Sequence, residues 1–193
     1  MNVSMKKMIY DRLTGRETSL AVIGLGYVGV PVALRFARCF DVVGYDMDAR
    51  RIEKLREKYG AGCGSIRFTS LEEELSRAAF YIVTVLTPVD ERKNPDLTCL
   101  VEATRTVARY LKRGDYVVYE STVYPGCTEE VCVPLLESAG NVRGICGAEL
   151  SDLYFRLTYP AVDSAYGSMV TVLAPIAVSY THLRAHETTL HLV

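Results

Sequence analysis

A glycine-rich segment between a β-type run and a helical pattern restricts the fold of this chain more than any other feature. Residues 24–29 read Gly-Leu-Gly-Tyr-Val-Gly. The short apolar run 20–23 precedes them, and apolar residues recur at helical spacing through 27–40. A second β-type run, 41–46, then ends in an aspartate. The order strand, glycine loop, helix, strand and acid predicts a dinucleotide-binding β-α-β unit.

Each glycine of this segment has a predicted role against the pyrophosphate of a dinucleotide. Gly24 permits the tight turn, Gly26 lets the backbone approach the ligand, and Gly29 lets the helix pack against the strand. Free N–H groups and the helix dipole at this helix start favour the phosphates. The alternative is a glycine-rich turn without a ligand. The candidate cofactor-binding residues of the loop are Gly24, Leu25, Gly26, Tyr27, Val28 and Gly29.

Asp46 lies about 20 residues after Gly24, at the end of the second predicted strand, where a carboxylate accepts hydrogen bonds from the adenosine ribose. It would repel a 2′-phosphate, so the sequence favours NAD over NADP. Arg50 and Arg51 weaken this preference, because a nearby arginine can accommodate that phosphate. The alternative role for Asp46 is the N-cap of the next helix.

The alternation of strands and helices continues to about residue 139 and predicts a Rossmann-type, doubly wound parallel α/β sheet. For the segment 71–79 we predict a helix with Ser70 as N-cap and Glu73 at the capping-box position. The further predicted elements are helix 48–59, strand 66–69, strand 80–86, helix 97–111, strand 116–120 and a helix within 128–137. The pattern stops near residue 140, so we expect a truncated domain followed by a poorly structured tail.

Two hydroxyl-bearing turns follow the predicted buried strands 80–86 and 116–120. They are Thr87-Pro88 and Ser121-Thr122. In an open α/β sheet, ligands bind beyond the carboxyl ends of the strands, so both turns are expected in the same cleft as the glycine loop. The alternative is ordinary turn chemistry, in which Ser and Thr hydroxyls bond to loop backbone.

Charge and hydropathy exclude several classes of partner. The formal net charge is −1, so we expect neither nucleic acid nor an anionic membrane as a partner. The uncharged run 19–34 is shorter than a membrane span and contains glycines and a proline. Residues 1–18 have no apolar signal-peptide core. We therefore expect a cytoplasmic protein.

Cysteine and histidine spacing predicts no metal site. The six cysteines contain no C-x-x-C pair, which favours reduced thiols in the cytosol. His182, His186 and His191 fall in the tail, where His186-Glu187 begins a string similar to that of zinc proteases. The position of its second histidine holds Leu190, so the metal-binding face of the helix is not formed.

Four ordered blocks resemble the UDP-glucose/GDP-mannose dehydrogenase family over about residues 15–139, most closely the bacterial UDP-N-acetyl-hexosamine 6-dehydrogenases of polysaccharide synthesis. The blocks are residues 20–33 (LAVIGLGYVGVPVA), Asp46 with Arg51-Ile52, Val85-Leu86-Thr87-Pro88 followed by Asp96-Leu97, and residues 120–126 (ESTVYPG) followed by Thr128-Glu129. Leu86 departs from the family, in which a small or polar residue is common in that turn.

The resemblance implies an oxidoreductase that converts the C6 hydroxyl of a UDP-sugar to a carboxylate with two NAD, in a longer homo-oligomeric parent. By resemblance, Thr122 also helps to position a catalytic water. The residues that would hold NAD are Gly24 to Gly29, Asp46, Arg51, Thr87, Pro88, Ser121 and Thr122.

The catalytic half of the family pattern has no match in this sequence. We find neither the glycine-rich block with its cysteine nucleophile nor a Tyr-Ser-Pro-Glu-Arg block after residue 140. We therefore expect an N-terminal NAD-binding fragment that binds NAD weakly and does not oxidise sugar alone. The alternatives are another NAD-dependent Rossmann dehydrogenase or a non-catalytic nucleotide-binding module.

Three segments follow from this interpretation. Residues 1–18 form an N-terminal extension, 19–140 form the NAD-binding domain, and 141–193 form a tail foreign to the family. Within the tail, we interpret 141–177 as a shifted reading frame, and 178–193 resemble translated sequencing adapter.

Overall fold

The computed structural model describes residues 3–60, 64–90, 94–124 and 126–139, with helices and strands alternating along the chain. The tail predicted for 141–193 and its three histidines lie outside the described residues. The elements are α1 Val3–Thr14, β1 Ser19–Ile23, α2 Gly29–Phe36, β2 Val42–Tyr45, α3 Ala49–Tyr59, β3 Ile66–Thr69, a 3₁₀-helix Glu72–Arg77, β4 Ala78–Val83, α4 Thr98–Tyr110, β5 Tyr116–Tyr119, a π-helical turn Thr128–Cys132, and α5 Val133–Ala139.

The strands form one parallel five-stranded sheet in the order β3-β2-β1-β4-β5. The chain builds outward from β1 to β3, then returns to the other side of β1 and builds outward to β5. The strand order therefore reverses between β1 and β4, where ligands of doubly wound sheets bind. This topology confirms the Rossmann-type fold predicted from the sequence.

Continuous apolar runs place β1 and β4 at the centre of the sheet. All residues of both strands are buried, as expected for strands covered on both faces. Their side chains alternate between two hydrophobic clusters, one on each face. Ile9 and Leu13 of α1 belong to one cluster, so the segment separated above as an N-terminal extension contributes to the core.

The segment 71–79 differs from its prediction. A 3₁₀-helix occupies Glu72–Arg77, its N-cap is Leu71 without a side-chain cap bond, and the capping role predicted for Ser70 is wrong. The strand β4 already begins at Ala78, which pairs with Ser19 of β1. Sheet pairing of two fully buried alanines outweighs their helical propensity, because propensity is a weak preference that tertiary packing overrides.

The helix after the glycine loop is shorter than predicted. It spans Gly29–Phe36, whereas the apolar spacing predicts 27–40. Its end tightens, because Cys39 N–H donates to the carbonyl of Phe36, three residues back, at 2.9 Å. The predicted strand 80–86 likewise ends at Val83, so that Thr84 begins the turn at the carboxyl edge.

The helix α3 is fixed at both ends by side-chain hydrogen bonds. At its start, the Asp48 carboxylate accepts from the N–H groups of Arg50 and Arg51. Near its end, Arg56 donates from Nε and Nη2 to the carbonyl oxygen of Phe68 in β3, at 2.9 and 2.7 Å. These bonds hold α3 between the second and third strands.

Candidate dinucleotide site

The loop after β1 contains a turn that only glycine fits. Gly24 has a φ of +92°, and an added Cβ there would lie 2.8 Å from Cγ1 of Val85. Its N–H donates to the carbonyl of Tyr45 in β2 at 2.9 Å. The backbone therefore leaves β1 in a left-handed conformation that is costly for any residue with a side chain.

The other two glycines differ in what surrounds them. A Cβ on Gly29 would lie 1.9 Å from the carbonyl oxygen of Gly24 and 2.6 Å from Oγ1 of Thr84, so α2 packs directly on the turn. Apart from the two adjoining residues, the nearest described atom to a Cβ on Gly26 would be Nη1 of Arg51, at 4.0 Å. The space beside Gly26 is open, as close approach of a pyrophosphate to the backbone requires.

The start of α2 suits an anion. Its N-cap residue, Val28, makes no side-chain cap hydrogen bond, so the N–H of Gly29 has no cap acceptor. The N–H of Val30 donates to the carbonyl of Gly26 at 3.1 Å. Tyr27 is 84% exposed, whereas the side chain of Leu25 is buried in the core. Of the predicted loop residues, Leu25 therefore contributes through its backbone.

Asp46 joins the end of β2 to the glycine loop. Its carboxylate is almost buried, and it accepts from the N–H of Leu25 at 2.8 Å and from the N–H of Asp48 at 3.0 Å. Nη1 of Arg51 lies 3.6 Å from the same carboxylate and 3.5 Å from the carbonyl of Leu25. Because Asp48 is the N-cap of α3, the alternative role of Asp46 as that cap is wrong.

Thr84 is a site residue that the sequence reasoning missed. Its hydroxyl lies 2.7 Å from the carbonyl oxygen of Gly24 and 3.1 Å from that of Ile23. The signal was present in the sequence: a threonine is the first polar residue after the apolar run of β4. Its partner is about 60 residues away, so that local patterns do not reveal the contact.

The two hydroxyl-bearing turns contact each other at the carboxyl edge. Ser121 donates from its hydroxyl to the carbonyl of Val85 at 2.7 Å, and Thr87 donates to the carbonyl of Thr122 at 2.5 Å. The turn interpretation is therefore correct for both hydroxyls, and it does not exclude a ligand nearby. The side chain of Thr122 is exposed, and the carbonyl of Pro88 accepts from the loop that follows.

Exposed apolar side chains collect in the segments that follow the strands. They are Tyr27, Met47, Leu71, Leu86, Val89 and Tyr124. Every strand of the sheet is followed by at least one of them, and Leu86 and Val89 both follow β4. Ligand pockets are lined mainly by apolar and aromatic side chains, so an apolar rim at this edge fits the flat rings of a dinucleotide.

The two buried cysteines of the described residues, Cys127 and Cys132, are not activated nucleophiles. Cys39, Cys99, Cys127 and Cys132 are free thiols. Burial raises the pKa of Cys132 to about 11 and also raises the pKa of Cys127. Both thiols are therefore protonated at neutral pH, the opposite of what a reactive cysteine requires.

The described ranges contain neither a metal-binding cluster nor a membrane-spanning helix. Within them, no group of three His, Cys, Asp or Glu side chains is arranged to hold a metal ion. Across the same ranges, each helix is too short or too polar to cross a membrane.

Comparison with known proteins identifies relatives of the described part of the chain. A family model for the UDP-glucose/GDP-mannose dehydrogenase family, NAD binding domain, matches residues 18–151. The chain is 47% identical over 130 residues to UDP-N-acetyl-D-glucosamine 6-dehydrogenase of Salmonella typhi, covering 62% of this chain and 31% of the relative. It is 44% identical over 138 residues to the enzyme of that name from Pseudomonas aeruginosa, covering 66% and 33%.

A solved structure agrees with these relatives. The UDP-D-ManNAc dehydrogenase of Pyrococcus horikoshii superimposes with a TM-score of 0.58 at 37% identity, covering 65% of this chain and 33% of that chain. The chain thus spans about a third of the length of the curated relatives it matches. The resemblance inferred from the four sequence blocks is confirmed.

Proposed function

The chain belongs to the UDP-glucose/GDP-mannose dehydrogenase family and carries its NAD-binding domain, and we propose that it serves the NAD-dependent oxidation of the C6 hydroxyl of a UDP-sugar to a carboxylate. The observation that supports this most is the open space beside Gly26, next to the start of α2 and to Asp46. Bound NAD supplies the hydride acceptor for such an oxidation.

The glycine loop and Asp46 would hold the adenosine half of NAD. In this proposal the pyrophosphate lies against the backbone of Gly26 and the start of α2, where N–H groups and the helix dipole favour its charge. The ribose hydroxyls donate to the Asp46 carboxylate, since each of its oxygens already accepts one backbone N–H and retains further lone pairs.

The same carboxylate supports a preference for NAD over NADP. A 2′-phosphate would add negative charge beside Asp46, which is nearly buried. Arg51 could offset this charge, but its guanidinium lies 3.6 Å from Asp46 and is already shared with it. The ion pair thus leaves less positive charge for a phosphate.

The turns after β4 and β5 would hold the nicotinamide half. We assign this role to Thr87 and Pro88 on one turn and to Ser121 and Thr122 on the other, because hydrogen bonds between the turns place them side by side. The exposed hydroxyl of Thr122 would position a catalytic water. Its side chain is the exposed member of this group that carries a proton donor and acceptor.

The sugar chemistry itself would reside in a longer parent. We propose that the cofactor-binding unit begins at residue 19 and extends past the expected boundary at 140, because the family match reaches residue 151. The rest of the chain would be foreign to the family, and the parent would be a cytoplasmic homo-oligomer that supplies polysaccharide synthesis. The nucleophile would come from that parent, since burial keeps Cys127 and Cys132 protonated. The net charge of −1 gives no reason to expect nucleic acid or membrane as a partner.

Calorimetric titration of the purified chain with NAD and with NADP tests the cofactor proposal. We expect binding of NAD and at least about tenfold weaker binding of NADP, the discrimination given by about 1.4 kcal/mol. Absence of NAD binding by a folded chain would refute the proposal.

Incubation with UDP-N-acetylglucosamine and NAD should give no NADH with this chain alone. A substrate screen of the parent with UDP-sugars and 2-hydroxy acids separates it from other Rossmann dehydrogenases.

A further inference from the structure

We propose that Thr84 is a positioning residue for the pyrophosphate loop, acting through the carbonyl of Gly24 without contacting the cofactor. The inference rests on the proposed NAD site and extends it to a residue outside the family motifs identified above. Thr84 is 7% exposed and follows β4 directly, at the point where the strand order of the sheet reverses.

The hydrogen bonds of Thr84 identify its partner. Its backbone N–H donates to the carbonyl of Ile23 at 2.8 Å, as the ladder between β1 and β4 requires. Its hydroxyl lies 2.7 Å from the carbonyl oxygen of Gly24 and 3.1 Å from that of Ile23. A hydroxyl donates a single proton, and the Gly24 carbonyl is the nearer of the two acceptors, so it is the partner.

This bond fixes the turn from the side of β4. Gly24 is held from the other side as well, since its N–H donates to Tyr45 of β2 at 2.9 Å. With both its N–H and its carbonyl bonded to neighbouring strands, the peptide at Gly24 keeps the left-handed φ of +92°. The turn is therefore set by two strands and not by the loop sequence alone.

The orientation of the Gly24 carbonyl also sets the start of α2. An added Cβ on Gly29 would lie 1.9 Å from that oxygen and 2.6 Å from the Thr84 hydroxyl, so the first residue of α2 packs on both atoms. If the hydroxyl is lost, the carbonyl is left without a donor and rotates to find one. The helix N-terminus that receives the pyrophosphate then loses its support.

Asp46 bonds to the next residue of the loop, Leu25, and the Leu25 amide can therefore be used to monitor the loop. The N–H of Leu25 donates to the Asp46 carboxylate at 2.8 Å. Asp46 is proposed to contact the ribose, whereas the Thr84 hydroxyl lies beneath Gly29 and bonds to the carbonyl of Gly24. Exchange of the Leu25 amide with solvent therefore reports the opening of the loop in the ligand-free protein.

The test compares Thr84→Val, which removes the hydroxyl at nearly constant shape, with Thr84→Ser, which keeps it. Thr104→Val is the matched control, because Thr104 is also buried and also donates to a backbone carbonyl, at 2.7 Å, but within α4. We expect T84V to raise the Kd for NAD about tenfold, T84S to stay within about twofold of wild type, and T104V to leave the Kd unchanged.

Two readouts separate positioning from a general loss of stability. T84V should accelerate exchange of the Leu25 amide about tenfold without NAD, and T84S and T104V should not. T84V should also weaken the binding of NAD more than the binding of adenosine, because adenosine lacks the pyrophosphate. If T84V does not fold, Thr84→Ala replaces it in both readouts.

The possible results lead to distinct conclusions. Wild-type exchange at Leu25 in T84V, or equal weakening of NAD by T84V and T104V, overturns the role of Thr84. If the wild-type chain binds no NAD, the proposed function fails, and the exchange of Leu25 still decides the role of Thr84.

Discussion

The contrast between Gly26 and Gly29 gives a sharp test of the site, because one glycine serves the ligand and the other serves the fold. Gly26→Ala places a methyl group in open space, with Arg51 Nη1 at 4.0 Å as the nearest atom outside the adjoining residues. Gly29→Ala places a methyl group 1.9 Å from the Gly24 carbonyl oxygen. We expect the first change to weaken NAD binding in a stable protein and the second to destabilise the protein itself.

The magnitudes follow from these distances. At Gly26 the native backbone accepts alanine without strain. Such a change stabilises a protein by about 0.4–1 kcal/mol, because it lowers the conformational entropy of the unfolded chain. At Gly29 the overlap exceeds 1 Å and involves backbone on both sides, so we expect a loss of about 3 kcal/mol or more. These free-energy changes should raise the melting temperature of G26A by about 1–4 °C and lower that of G29A by about 6 °C or more.

The loss of NAD affinity in G26A has a different origin. A methyl group at Gly26 occupies the space that the pyrophosphate would need and removes at least one hydrogen bond to a charged group. Such a bond contributes about 1.5–3 kcal/mol, so the Kd should rise about 10- to 100-fold.

Melting by circular dichroism and titration calorimetry on the two variants measure both effects. Wild-type NAD affinity in G26A would refute the placement of the pyrophosphate at this loop. A fall in the melting temperature of G26A as large as that of G29A would refute the interpretation of the open space.

Three further changes test other parts of the structure. Asp46→Asn should raise the Kd for NAD about tenfold, because an amide presents a donor to one of the N–H groups that the carboxylate accepts, including that of Leu25. Iodoacetamide at pH about 8 should label the exposed Cys99 and spare Cys132, whose pKa burial raises to about 11. Burial raises the pKa of Asp115 above 3.8, so its ionisation on folding is unfavourable. Protonated Asp115 suits the folded state better than its carboxylate does, so wild type loses stability as pH rises from the unfolded-state pKa through the folded-state pKa. Asp115→Asn should gain stability relative to wild type over that rise.

Each of these changes has its own control. Asp48→Asn keeps a good N-cap and should bind NAD like wild type, so an equal loss in both variants would count against a special role for Asp46. Labelling of Cys132 as fast as Cys99 in the native protein would contradict its burial, and both should react in denaturant. A constant stability difference between D115N and wild type across the pH range would show that Asp115 does not titrate as described.

Local sequence patterns predicted the glycine loop and Asp46, whose positions are determined within one β-α-β unit. The glycine spacing and the acid at the end of the second strand act within one β-α-β unit, so their order along the chain already fixes their relative positions. The role of Asp46 could not be separated from that of Asp48 in the same way. Both aspartates precede α3, and only the extended backbone of Asp48, with ψ of 98°, makes it the cap.

Long-range contacts are what the sequence did not reveal. Thr84 continues a strand-like run, and its hydroxyl bonds to Gly24 in the loop after β1, so its role depends on the register between β1 and β4. The boundary at Ala78 depends on that same register. In both cases, pairing between distant segments overrides local preference, and local preference is all that periodicity measures.

The two bonds from Arg56 to Phe68 have a consequence for how the protein behaves at high concentration. The carbonyl of Ser65, just before β3, accepts from the N–H of Val42, and the carbonyl of Thr69 accepts from the N–H of Asp46. Because carbonyls alternate in direction along a strand, the carbonyl of Phe68 points away from the sheet. An outer strand with such free carbonyls is a template for strands of other molecules. Here the outward carbonyl is bonded to a guanidinium, at 2.9 and 2.7 Å, which a strand from another molecule would have to displace. We therefore expect Arg56 to protect the sheet against intermolecular strand addition and aggregation, independently of whether NAD is bound.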